Sequence, residues 1–209
     1  MTVRFDHAVY AVRDLDAAAG RWFDAFGLAS VRGGRHPRWG TENRIVPLGR
    51  EYLELIAVVE PVVAAGTVLG RTLLDLTGRG DGWFSVCLAD DDIEATAARL
   101  GLDVESGSRT TPEGRELRWR GAGIDAESRE PWLPFFIAWD VPAELHPGRA
   151  GATGRTDVEG IVSAQVAGDA GRLDRWLAGA PVPMEVVGGP PGLRSVALGL
   201  AGGGELLVT

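Results

Sequence analysis

The sequence contains no lysine; all 21 of its basic residues are arginine. That removes a Schiff-base lysine and a phosphate-loop lysine from the available chemistry. With abundant Gly, Ala and Pro, it is the pattern of a GC-rich coding bias. Cysteine is nearly absent. Cys87 stands alone, so neither an intrachain disulfide nor a thiolate zinc cluster can form. Long apolar runs are missing too. No stretch approaches about twenty apolar residues, so no membrane-spanning helix is expected. The opening MTVRFDHAVY lacks a signal-peptide layout, and a cytoplasmic location is expected. Nor is there an excess of positive charge. The net charge of -8 argues against nucleic acid or an anionic membrane as partner.

What is present suits a globular protein. The 209 residues, 45% of them hydrophobic and 24% charged, are enough for one sizeable core or two small ones. Val3 to Val12 alternates as a strand, with Val3, Phe5, His7, Val9 and Ala11 on one face. Asp14 or Asp16 then caps a helix whose apolar face is Leu15, Ala18, Ala19, Trp22, Phe23 and Phe26, and Gly27 ends it. The stretch LASVRGGRHPRWGTEN reads as a short strand followed by a loop. NRIVPLG and EYLELIAVV read as two strands joined by a tight turn at Gly49-Arg50.

The order then recurs. DGWFSVCLADDDIEATAARLGL is again strand, acidic cap and helix, offset by 78 residues, and RELRWRG and PWLPFFIAWD supply further strands. The expected fold class is therefore α+β. Two βαβββ modules, 1–60 and 80–140, are followed by a Val141–Asp157 linker and a βαββ-like extension at 158–209 that reads as a truncated third copy.

Two residues break the apolar pattern. His7 sits on an otherwise apolar strand face, and Glu54 sits on a strand that is apolar on both faces. A buried carboxylate is costly unless paired, protonated or bound to metal. One divalent cation between the two would relieve both. A buried hydrogen-bonded pair, or a Glu54 pairing with Arg44, would do so as well. Asp90, Asp91 and Asp92 are explained as helix-capping residues rather than as a cation site, and Cys87 as a small core residue.

The strand opening DHAVYAVRDLDAA, the stretch GGRHPRWGTENRIVPLG and the strand YLELI resemble the vicinal-oxygen-chelate superfamily, and within it the glyoxalase-like domain family. The resemblance runs to about residue 150, through PFFIAWD and LHPG, and is most specific from Gly33 to Ile56. It implies paired modules forming a cupped sheet with a metal in the cup. His7 and Glu54 match two of the usual four metal-ligand positions. The second module departs from the pattern: Ser85 lies over His7, and Phe136 or its neighbour lies over Glu54. Glyoxalase I and extradiol dioxygenase chemistry are therefore not expected.

The resemblance thus implies a small-molecule protein, monomeric or homodimeric, with a carbonyl-containing or anionic ligand. His7 and Glu54 are the candidate ligands for zinc, nickel, manganese or iron in lyase- or isomerase-type chemistry. Glu54 is alternatively a metal-free general base. The rival expectation is a metal-free binding or sequestering protein. His36, Asn43, Arg44, Tyr52, Trp83 and Phe136 are the candidate substrate-binding residues: the arginine and its polar neighbours for an anion, the aromatics for an apolar wall. His36 and His146 are the remaining histidines; one of them as a third metal ligand beside His7 and Glu54 is one reading, and surface or turn-stabilising hydrogen bonds are the competing one.

Overall fold

The computed structural model describes residues 2–126 and 130–209. The first module runs β1 (Val3–Ala11), α1 (Leu15–Phe26), β2 (Val31–His36), β3 (Thr41–Pro47) and β4 (Tyr52–Val58). Asp14 caps α1 by accepting from the backbone N–H groups of Asp16 and Ala17. Gly27 closes the helix in the left-handed conformation at φ 69°. The helices α2 (Pro61–Ala64) and α3 (Val68–Arg79) connect to the second module. That module runs β5 (Gly82–Asp90), α4 (Ile93–Leu100), β6 (Val104–Thr110), β7 (Glu116–Ala122) and β8 (Phe135–Trp139). Among the described residues, no helix is long and apolar enough to cross a membrane.

The eight strands form a closed barrel in the order β1-β4-β3-β2-β6-β7-β8-β5. β1 and β5 run antiparallel down the junction of the modules, and each pairs in parallel with the last strand of its own module. The opposite seam is slight. β2 and β6 meet through a single register pair, Arg35 with Thr110. This architecture is the α+β fold expected from the sequence. One local expectation is corrected. The stretch from Leu28 to Asn43 is not mainly loop: β2 extends to His36, a four-residue turn follows, and Asn43 lies within β3.

Alternation sorts the side chains into two cores. Inside the barrel, Val9, Ala11, Ile56, Phe84, Cys87, Trp119, Phe135 and Ile137 pack with Leu69 and Leu73 of α3, which closes one end. Outside, α1 and the C-terminal strands cover Phe5, Leu53, Leu55, Val86, Leu88 and Phe136. β1 does not keep one face throughout. A register shift between Phe5 and His7 leaves Val3 and Phe5 in the outer core, whereas Val9 and Ala11 pack inside the barrel.

The extension comprises β9 (Val158–Ala167), α5 (Ala170–Leu177), β10 (Met184–Val187), β11 (Gly192–Leu200) and β12 (Glu205–Val208). Its sheet order is β10-β9-β11-β12. β9 pairs directly and in parallel with β10, the strand after its helix. In both modules that neighbour is instead the module's last strand, so the strand order of the extension differs from theirs. Nor is Val141–Asp157 a free linker. It carries two short 3-10 turns, and Gly148 accepts from the N–H of Gly49 at 2.8 Å.

Candidate functional site

The barrel lumen is lined by His7, His36, Asn43, Tyr52, Glu54 and Arg109, with Trp39, Trp119, Trp139, Phe135 and Ile137 among its apolar walls. The cavity is small, ≈ 40 Å³, room for a few waters. His7 and Glu54, singled out as oddities of the sequence, therefore do meet in one place. His7 Nε2 lies 3.7 Å from Glu54 Oε2. The His7 ring stacks on Tyr52 with centroids 4.4 Å apart and meets the edge of Phe135.

The orientation of His7 is set by Asp6, which sequence reasoning did not single out. His7 Nδ1 lies 2.6 Å from Asp6 Oδ1. Asp6 Oδ2 accepts from Trp139 Nε1–H at 3.0 Å and lies 3.1 Å from His146 Nε2. The backbone N–H of Gly148 donates to His146 Nδ1, so the proton of the neutral ring is on Nε2 and points at Asp6. Burial alone would raise the Asp6 carboxyl. The hydrogen bonds from His146 and His7 outweigh it and hold the group well below the usual carboxylate range. An ionised Asp6 fixes the His7 proton on Nδ1 and leaves Nε2 turned to Glu54 and the lumen.

Glu54 is held from the neighbouring strand. Asn43 donates its side-chain N–H to Glu54 Oε1. Its carbonyl oxygen accepts from Arg109 Nη1 at 3.4 Å. Arg109 is a second residue that sequence reasoning missed. It is only 5% exposed, and its guanidinium makes no other hydrogen bond among the described residues. Burial lowers its pKa from the ordinary 12.5, while Tyr52 and Glu54 counteract that. Gly33 makes room for this contact. A Cβ there would lie 2.1 Å from Asn43 Oδ1 and 2.6 Å from Arg109 Nη1.

His36 lies in the lumen and bonds Thr41 Oγ1 through Nδ1 at 3.0 Å. Burial pushes its pKa down to about 4, against the attraction of Glu54. Tyr52 is likewise shifted far above its ordinary value by burial, with Asp6 and Glu54 adding to the effect.

Three candidate substrate-binding residues lie elsewhere. Arg44 follows Asn43 on β3 and points out of the barrel, to Asp16 at 2.7 Å and to Ser30 Oγ at 2.9 Å. Phe136 sits between the inward-facing Phe135 and Ile137, so it faces out and stacks on Trp176 of α5. Trp83 packs in the outer core against Tyr10 and Trp22. Each is displaced for one reason: neighbouring residues on a strand take opposite faces, and only one face looks into the barrel.

Asp6, His7 and Cys87 bring three potential ligand atoms within 4.8 Å of one another. Both Asp6 oxygens are already committed to hydrogen bonds, and His7 Nδ1 is committed to Asp6. That leaves His7 Nε2, Glu54 and His36 facing the lumen, and among the described residues these three do not bring their ligand atoms within 4.8 Å of one another. From the second module, β8 offers Phe135 and Ile137 there. Ser85 is not among the lining residues; its hydroxyl donates to the backbone oxygens of Val86 and Leu133. As placed, these side chains do not converge as the three or four protein ligands of a resident divalent ion, so the residues present do not fit that group.

No curated protein matches the chain. Among solved structures, a hypothetical protein from Staphylococcus aureus is similar over 95% of this chain and 82% of its own, with 18% identity and a TM-score of 0.67. Methylmalonyl-CoA epimerase from Mycobacterium tuberculosis matches over 64% of this chain and 85% of its own, at 22% identity and a TM-score of 0.44. A Streptomyces coelicolor methylmalonyl-CoA epimerase in complex with 2-nitronate-propionyl-CoA matches over 68% of this chain and all of its own, at 18% identity and a TM-score of 0.47. The glyoxalase-like domain matches residues 5–179. With most of its length matched and paired modules closing a barrel, the chain belongs to the glyoxalase-like domain family.

Proposed function

We propose that the protein catalyses proton transfer at a carbon adjacent to the carbonyl group of a small carboxylate, an isomerase-type reaction without a metal. The observation that carries this reading is the confinement of His7 Nε2, Glu54 Oε2 and the Arg109 guanidinium in one small lumen. A small carboxylate fits the fork of Arg109. Its carbonyl oxygen shares the same field. Glu54 removes the proton from the adjacent carbon, and the electron pair moves onto the carbonyl oxygen, where Arg109 stabilises the enolate. Glu54 passes that proton across the 3.7 Å gap to the free Nε2 of His7, and the Nε2–H so formed returns it to carbon, leaving both groups as they began. Asp6 stabilises the imidazolium that this cycle requires, and Asn43 positions both Glu54 and Arg109. The aromatic walls exclude water from the enolate.

The test is deuterium exchange from D₂O into pyruvate, 2-oxobutyrate and acetoacetate, followed by NMR. At least one probe is expected to exchange, with a rate lowered about 10²- to 10⁴-fold in Glu54→Gln. Exchange is expected to survive a strong chelator, since no step uses a metal. Exchange abolished by chelation and restored by one metal would overturn the metal-free mechanism. Saturable binding without exchange in any probe would replace catalysis with a ligand-sequestering role.

A further inference from the structure

A second and much larger cavity, ≈ 640 Å³, lies on the other side of Asp6 and Trp139. It is lined by the ends of β1, β5 and β8, by the β3–β4 turn and by residues 141–149. Ile137 and Trp139 line both spaces. The wall between them is closed by hydrogen bonds, from Trp139 and His146 to Asp6. A molecule in the outer cavity is therefore separate from one in the lumen.

Four arginines line this cavity: Arg4, Arg50, Arg120 and Arg149. Two are spoken for. Arg4 pairs with Asp91, and Arg120 with Glu94 and Asp140. Arg50 and Arg149 make no ion pair among the described residues, and the backbone segments that carry them lie side by side. Gly49, next to Arg50, donates its N–H to the carbonyl of Gly148, next to Arg149. The two segments pack so closely that a Cβ on Gly148 would lie 2.5 Å from the carbonyl oxygen of Glu51 and 3.0 Å from that of Gly49. Two like charges carried on neighbouring turns repel, and an anion bound between them relieves that repulsion. Glu51, the nearby carboxylate, is half-buried; burial raises its pKa and the charge of Arg50 counteracts that, yet it forms no ion pair with either arginine among the described residues.

We propose that the outer cavity is a binding site for a small organic anion, gripped through its carboxylate or phosphate by Arg50 and Arg149. Calorimetric titration of the whole chain at constant ionic strength tests this with acetate, succinate, inorganic phosphate and glycerol 3-phosphate. Saturable binding of at least one probe is expected, weakened about tenfold or more in the Arg50→Gln/Arg149→Gln double variant. Preference for the first two probes assigns a carboxylate, and preference for the last two a phosphate. Both side chains are exposed, and an unchanged melting temperature verifies that the double variant folds. Arg109→Gln, which removes the carboxylate fork of the lumen, is expected to retain the binding, which separates this site from the lumen. No saturable binding, or equal binding to the double variant, would overturn the proposal.

Discussion

At the scale of single residues, the site turns on Asp6. It accepts from His7, His146 and Trp139 while buried, which an amide cannot imitate. In Asp6→Asn the side-chain NH₂ would face other donors. The variant is expected to lose about 2–3 kcal/mol in urea unfolding and to slow exchange through a misoriented His7. Because the folded Asp6 carboxyl titrates below its ordinary 3.8, its contribution is present above that pH and is lost as pH falls through the folded value. His36 acts in a different window. Its pKa falls from 6.5 to about 4, so the unfolded chain binds the extra proton between those values. Stability is therefore expected to fall by about 3 kcal/mol from pH 6.5 down to pH 4, then to level off for this group. Unfolding of wild type and His36→Gln across that range checks it; equal slopes in the two would refute the assignment.

Elements carry a different constraint, the glycines of β2. Gly33 admits the Asn43–Arg109 contact. Gly34, at φ 151°, lets β2 approach β6, where a Cβ would lie 2.2 Å from the carbonyl oxygen of Thr110. That approach supports the single bridge closing the barrel at Arg35 and Thr110. Gly34→Ala is expected to cost about 1–3 kcal/mol and to speed amide hydrogen exchange in β2 and β6 before the other strands. Uniform acceleration across the barrel would argue against a local seam. These strands were partly legible beforehand, since alternation marks a strand without reference to its neighbours. The extent of β2 was not, because its Gly-Gly pair imitates a loop until β3 and β6 supply the hydrogen bonds.

For the whole molecule, the C-terminal sheet is part of the barrel's outer core. Trp176 stacks on Phe136 and donates its Nε1–H to the carbonyl of Pro134 at 2.9 Å. Trp132 lies against Gly168, where a Cβ would overlap the indole ring. Trp176→Ala is expected to lose about 3–5 kcal/mol, with the barrel and the extension still unfolding in one transition by near- and far-ultraviolet circular dichroism. Two separated transitions would show that the extension is an independent unit.

The sequence by itself left α2, α3 and β6 unread but determined most strands and the first helix of each module, the doubled module, the caps at Asp14 and Gly27, and the polar intruders His7 and Glu54. These follow from local rules of periodicity, capping and the cost of buried charge. Only the tertiary structure decided which face of each strand looks inward. It placed Asn43 in the lumen and Arg44 outside, Phe135 inside and Phe136 against Trp176. It also brought Asp6 and His146 together across 140 positions, and Arg109 to Asn43 across 66. Period-two alternation establishes that two faces exist; closure of the barrel assigns one of them to the site.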